Sequence, residues 1–201
     1  MSDGREPKSI VFIQCVGSRD MPLKRPYCSC VCCMQAMKNA ILIKEKHPEI
    51  EVTIFYMDIR AYGKGYEEYY ERAKSVGVQF LRGLPPEVQA DSRGMRFTVE
   101  NTETGEVQVL RPELVVLSVG IGPTGATAAL AEKLGISVED TGFIRSANDA
   151  LDTVGTIRPG IYIAGTAIAP KDIPDSVASG ESAAMRAFAD TKKREAGARS
   201  P

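Results

Sequence analysis

The sequence predicts an α/β fold of parallel strands and helices with an inserted β-hairpin, and three observations carry that prediction. Two apolar, β-branched runs, Ser9 to Val16 (S-I-V-F-I-Q-C-V) and Glu51 to Asp58 (E-V-T-I-F-Y-M-D), flank a stretch of helical period that opens at Cys32. Arg96 to Glu100 and Glu106 to Leu110 alternate in polarity, and Asn101-Thr102-Glu103-Thr104-Gly105 joins them as a hairpin. A continuous apolar run, Leu114 to Val119 (L-V-V-L-S-V), then closes at Gly120 and reads as a returning buried strand. Strand, helix, strand over about fifty residues is a βαβ unit, whose crossover is right-handed.

The remaining elements follow from local signals. Residues 1–8 form a polar leader without the apolar stretch of a signal peptide. The helix from Cys32 places Met34, Met37, Ala40 and Ile41 on its apolar face and stops at His47-Pro48, where His47 serves the helix end. Tyr66 to Gly77 reads as a second helix with Gly77 just past its end, followed by a short strand, Val78 to Leu81. The tyrosines at 62, 66, 69 and 70 belong to packing, and Asp58 and Arg60 to a structural pair at a strand end. Gly120 to Gly125 is a glycine-rich exit, Ala126 to Leu134 a short helix ending at Gly135, and residues 136–159 a connection with little periodicity. Ile161 to Ala164 reads as a last buried strand; Asp175 or Ser176 then caps a helix to about Lys193, ahead of a polar tail.

Composition narrows the function classes. With 25 basic against 26 acidic residues, no charge excess calls for nucleic acid or an anionic membrane surface. No window approaches the roughly 18 apolar residues of a membrane span, and a cytoplasmic setting with reduced thiols is expected. No general base, oxyanion motif or phosphate loop points to hydrolysis or phosphoryl transfer.

The chemistry concentrates in one segment. All five cysteines lie between Cys15 and Cys33, in C-V-G-S-R-D-M-P-L-K-R-P-Y-C-S-C-V-C-C. Cysteines of a disulfide framework spread so as to tie distant segments together; thiols gathered on one loop read as a soft-metal site. The pattern Cys15-x12-Cys28-x3-Cys32-Cys33 supplies the ligand number of an iron–sulfur cube. Zinc also takes four thiolates, but its structural sites favour two separated C-x2-4-C knuckles, whereas Cys32 and Cys33 are adjacent. Cys15 ends a strand and Cys32-Cys33 open a helix, the place where α/β proteins bind anions. The glycine fingerprint of a dinucleotide loop is missing from that turn.

F-I-Q-C-V-G-S-R-D, Y-C-S-C-V-C-C-M, F-Y-M-D-I-R-A-Y-G-K-G-Y-E-E-Y-Y and P-K-D-I-P-D-S-V resemble the A-type component of heterodisulfide reductase (HdrA), an iron–sulfur flavoprotein on a thioredoxin-reductase-like core. The resemblance runs from about Ile10 to Ala189. It implies a Rossmann-like domain with a β-hairpin insertion over residues 9–125, and the returning C-terminal segment of an FAD-binding domain over residues 126–195. It implies a [4Fe–4S] cluster on Cys15, Cys28, Cys32 and Cys33, with Cys30 a departure from the family pattern. It further implies FAD contacts at Gly120, Gly165, Thr166, Lys171, Asp172, Ile173 and Ser176; Thr166 stands where such flavoproteins carry an aspartate. Lys38, five and six residues beyond Cys33 and Cys32, is the candidate that tunes the flavin, against a plain reading as a solvated helix lysine.

The family's N-terminal FAD fingerprint and its further ferredoxin-like cysteine clusters are not among these residues. Either a partner chain completes the FAD site or the chain binds FAD poorly; the first is favoured, and the resemblance then implies an electron-transfer subunit alongside other iron–sulfur subunits, with flavin-based bifurcation open to it. Two other readings stand beside it. One is a non-catalytic scaffold with a structural cluster; the other is a thiol oxidoreductase using Cys32/Cys33 or Cys28/Cys30.

Overall fold

The computed structural model describes residues 4–197. The first three residues of the expected polar leader, and 198–201 of the expected tail, lie outside the described residues. The chain divides into two compact units: residues 1–18 with 31–120, and residues 19–30 with 121–201.

The first unit is built on a four-stranded parallel sheet. β1 (Ser9–Val16), β2 (Glu51–Tyr56), β3 (Gln79–Arg82) and β7 (Leu114–Val119) stand in the order β3-β2-β1-β7. β1 pairs in parallel with β2 on one side and β7 on the other. The order therefore reverses at β1, which puts the ligand-binding crevice of such sheets at its C-terminal end. α1 (Cys32–Lys46) makes the crossover from β1 to β2, and α2 (Tyr66–Ser75) that from β2 to β3. α1 ends at His47, as the His-Pro pair implies, and Gly77 follows α2 with a left-handed φ of 89°. The expected pair of Arg60 and Asp58 forms, at 3.3 Å.

Alternation along β1 sorts the core into two layers. Ile10 and Phe12 pack with Cys32, Cys33, Ala36, Met37, Ala40 and Ile41 of α1. Val11 and Ile13 face the other way, onto Phe55, Phe97 and Val99. The second layer is closed by an antiparallel sheet of β4 (Gln89–Asp91), β5 (Gly94–Asn101) and β6 (Glu106–Leu110). The expected hairpin is thus present, enlarged by β4, a three-residue strand too short and polar to show in the pattern. Gly83 joins the two sheets. Its N–H reaches the Tyr56 carbonyl at 2.9 Å, and a Cβ there would lie 2.0 Å from the Glu100 carbonyl oxygen, so only glycine fits.

The second unit contains α3 (Gly125–Leu134) and α4 (Ile173–Gly197), joined by turns and isolated bridges. α4 runs to Gly197, beyond the expected end near Lys193. The strand expected at Ile161 to Ala164 reduces to a single antiparallel bridge of Tyr162 with Gly155. The segment is extended and Ile163 is buried, but a strand needs a neighbouring ladder, and here only the turn at 154–155 lies alongside. Polar contacts fasten α4 to this segment and to the turn before it: Tyr162 donates to Asp190 at 2.9 Å, and Arg186, paired with Asp190 one turn along at 3.0 Å, reaches Asp152 at 2.8 Å. Among the described residues no helix is long and apolar enough to cross a membrane.

Candidate metal and cofactor site

Cys15 should alternate to the layer of Val11 and Ile13, away from α1. The chain corrects this with a bulge. The β1–β7 register shifts between Ile13 and Val16, and Cys15 takes a left-handed φ of 61°. Its side chain is thereby turned to the α1 side, where its thiol hydrogen-bonds Cys32. A bulge beside a site re-aims one side chain without moving the strand, and a non-glycine residue tolerates the strained backbone only where the surroundings hold it.

Cys32 and Cys33 occupy the first two positions of α1 and are 3% and 4% exposed. Val31 at the N-cap offers no side-chain hydrogen bond, and the first turn carries no acidic residue. The helix therefore begins with free amides and an uncompensated positive dipole end, which favours negative charge. Cys32 is held down at about 3, first by the hydrogen bond from the Cys15 thiol and then by that from Cys33. Cys33 is pushed up, first because it donates that bond to Cys32 and then by burial; its thiol also lies 4.0 Å from the Asp58 carbonyl oxygen. The result is a set of three buried cysteines at the crevice end of the sheet, with Cys32 the one whose surroundings favour the charged form.

Cys28 belongs to the second unit, on a segment that is ordered by local hydrogen bonds despite Pro22 and Pro26. Asp20 and Arg25 form an antiparallel bridge, and Arg19 donates to the Tyr27 carbonyl at 2.9 Å. Ser29, fully buried, accepts the Ile121 amide at 2.9 Å, and Tyr27 meets Phe143 edge-on at 5.2 Å. Cys28 accepts the Cys30 N–H at its sulfur, 3.3 Å away, and the Cys30 thiol turns back to the Cys28 carbonyl at 3.5 Å. Cys30 is thus occupied with Cys28, and its left-handed φ of 64° directs its amide there. None of the five cysteines is in a disulfide.

The residues expected at the flavin fall in both units. Gly120 ends β7 in the first, where its N–H bonds the Val16 carbonyl at 2.9 Å. The others gather at the start of α4. Gly165, with a left-handed φ of 60°, opens a short 3-10 turn and donates its N–H to Ser179 at 2.8 Å; a Cβ on it would lie 3.8 Å from Ser176. Thr166 and Ile173 are exposed, the latter at 80%. The cap of α4 is neither Asp175 nor Ser176 but Asp172, whose carboxylate accepts the Asp175 N–H at 2.8 Å and whose carbonyl accepts that of Ser176 at 3.0 Å. Pro174 suits the first turn of a helix, so α4 starts three or four residues earlier than the Asp-Ser signal implies. Lys171 lines a cavity of about 330 Å³ with Glu139, Ser146, Asp149 and Ser179. Lys38 is exposed on α1 and borders a cavity of about 340 Å³ with Met34, Lys64, Gly65, Tyr66 and Tyr69.

Sequence reasoning missed two polar residues beside the cysteines. Gln14 is 1% exposed and neither its Nε2 nor its Oε1 has a hydrogen-bond partner; Ser18 is 3% exposed and its hydroxyl is likewise unpartnered. The signal was visible in principle: a glutamine inside S-I-V-F-I-Q-C-V is a polar residue in an otherwise apolar buried strand.

No family model matches the chain. Among curated proteins, it is 51% identical over 189 residues to an A-type iron-sulfur subunit of the CoB–CoM heterodisulfide reductase of Methanopyrus kandleri, covering 92% of this chain and 29% of that protein. It is 50% identical over 186 residues to the A-type subunit of the H2/formate:CoB–CoM heterodisulfide, ferredoxin reductase of Methanococcus maripaludis, covering 91% and 28%. The chain thus spans less than a third of the length of these relatives. Among solved structures, the thioredoxin reductase of Lactococcus lactis aligns with a TM-score of 0.59 at 23% identity, over 94% of this chain and 54% of that one. That of T. acidophilum gives 0.57 at 18%, over 92% and 53%. The fold is therefore of the thioredoxin-reductase type, as the sequence implied.

Proposed function

From the premise that the chain is homologous, over 92% of its length, to a segment of the A-type component of heterodisulfide reductase, we propose that it is the part of an oxidoreductase subunit that holds a [4Fe–4S] cluster beside a flavin. The observation that carries this reading is the convergence of Cys15, Cys32 and Cys33 at the uncapped start of α1, where the first turn favours negative charge. The donor set fits the group. Four thiolates are its ligand number, and the free helix amides offset its negative charge. Unpartnered polar atoms on Gln14 and Ser18 next to Cys15 are what a site leaves when its occupant accepts hydrogen bonds. Cys28, four residues before Cys32, stays within roughly 14 Å of it by chain length alone. Cys30 acts through its amide, which steadies the Cys28 sulfur.

Such a cluster supplies one-electron transfer, and the chain's own residues do the rest. Residues 9–125 hold the cluster, and residues 126–195 contribute half of an FAD site. Within that half, Gly165 brings the backbone of its turn close, Asp172 fixes the start of α4, and Thr166, Lys171, Ile173 and Ser176 stand at its edge. Gly120 contributes from the end of β7. Lys38 offers a positive charge from α1 that favours a reduced, anionic flavin. The glycine fingerprint comes from outside these residues, from a partner chain in a cytoplasmic complex. The exposed side chains of Ile173, Val177 and Phe188 lie within about 60° of one another around α4 and support a protein neighbour there. Electron flow through this pair of cofactors, with bifurcation at the flavin, is the activity proposed.

Anaerobic purification with iron, sulfide and flavin quantified tests the reading. It expects about four iron and four sulfide per chain, almost no flavin in the isolated chain, and loss of iron from each of Cys15→Ser, Cys28→Ser, Cys32→Ser and Cys33→Ser. Cys30→Ser keeps its iron. Titratable thiols without iron would instead mark a thiol oxidoreductase, and iron lost from Cys30→Ser but not from Cys28→Ser would overturn the ligand set.

A further inference from the structure

Gln14 is the least comfortable buried residue in the first unit. Its side chain is 1% exposed, yet both ends of its carboxamide lack a hydrogen-bond partner. An amide buried this way has lost its water and gained no hydrogen bond in return, which is destabilising. A leucine or methionine would fill similar space without that penalty, so the retained amide points to a partner that the protein itself does not supply.

The direction in which it faces follows from the strand. Ile10 and Phe12 lie in the α1 layer, while Val11 and Ile13 lie in the layer of Phe55 and Phe97. A period of two assigns Gln14 to the α1 side, one step beyond Phe12 toward the C-terminal end of β1. The first turn of α1 lies at that end, because α1 follows β1 directly and is the crossover to the parallel strand β2. Gln14 and the bulge-turned Cys15 therefore face the same side of the sheet, toward Cys32 and Cys33.

We infer that Gln14 is a hydrogen-bond donor to the sulfur atoms of the site, its Nε2 hydrogens directed at cluster sulfide or cysteine thiolate, and that it sets the cluster's reduction potential. The inference rests on the cluster reading above and deepens it. Both sulfur types accept hydrogen bonds, and their acceptance strengthens as the cluster gains an electron. A fixed N–H donor thus stabilises the reduced state more than the oxidised one and raises the potential. The amide's cost in the metal-free protein and its gain in the loaded one are two faces of one arrangement.

The test uses Gln14→Leu and Gln14→Met, which keep the volume and remove the donor. For the metal-free chains, thermal unfolding under anaerobic conditions is expected to show both variants melting at or above the parent temperature, because an unsatisfied buried amide is gone. For the reconstituted chains, iron and sulfide are expected to equal the parent's. An EPR-monitored redox titration is then expected to place the potential lower, by a shift of roughly tenfold in the reduction equilibrium, about 59 mV for one electron. An unchanged potential at full iron content overturns the assignment of Gln14 alone and leaves the cluster reading standing. Metal-free variants that both melt well below the parent also overturn it, since the amide is then bonded within the protein. A parent chain that takes up no iron removes the cluster reading, and this inference with it.

Discussion

Met37→Ala is the sharpest test of how the cysteine helix is held. Met37 is fully buried and lies one turn beyond Cys33, on the same face of α1. Its neighbours in the layer are Phe12, Ile41 and Ile54, each no more than 2% exposed and each fixed to a strand or a helix. The substitution deletes three heavy atoms from a wall that has little freedom to close. Buried Met→Ala changes cost about 2–5 kcal/mol, and the cost rises with the cavity that remains, so the upper half of that range, about 3–5 kcal/mol, is expected here. For a chain of 201 residues, about 2–4 °C is lost per kcal/mol, which makes the fall about 6–20 °C. The chain has no tryptophan, so far-UV circular dichroism of the metal-free protein is the suitable assay. A loss below about 1 kcal/mol would refute the claim that this layer is rigidly packed beneath the cysteines.

Two further outcomes are expected. Asp91 is held at about 2, below its ordinary 3.8, first by the hydrogen bond from the Arg111 guanidinium, which grips both carboxylate oxygens at 3.0 and 2.8 Å. A carboxylate whose folded value is depressed stabilises the fold above its unfolded value and loses that contribution as pH falls through its folded one. The melting temperature of the parent should therefore exceed that of Asp91→Asn by a constant margin above about pH 5, and the margin should close between 3.8 and about 2. A margin independent of pH would show that the pair contributes nothing through its charge. In a complex reconstituted with the proposed FAD-bearing partner, Lys38→Met should lower the flavin potential and leave iron content unchanged; an unaltered potential returns Lys38 to a solvated role.

What the sequence determined by itself is whatever follows from period and from covalent order. The strands Ser9–Val16 and Leu114–Val119 and the helix starting at Cys32 came out at the expected residues, because each is fixed by a long local pattern bounded by glycine, proline or a change of period. The clustering of thiols at the end of β1 and the start of α1 was equally legible, since covalent order puts a strand end and the following helix start together. The tertiary structure decided the rest. The bulge that turns Cys15 toward α1 depends on pairing with β7, more than ninety residues on, and is not written in the local alternation, which by itself would put Cys15 on the other face. Asp172 rather than Asp175 or Ser176 caps α4, because Pro174 extends the helix backwards where an Asp-Ser signal marks a start. The segment from Ile161 to Ala164 has a strand's composition but pairs only at Tyr162, because a ladder requires a neighbour that local sequence does not specify. The unsatisfied amide of Gln14 belongs to the same class: a residue's type is written in the sequence, but whether its polar atoms find partners is decided only when the layers close over it.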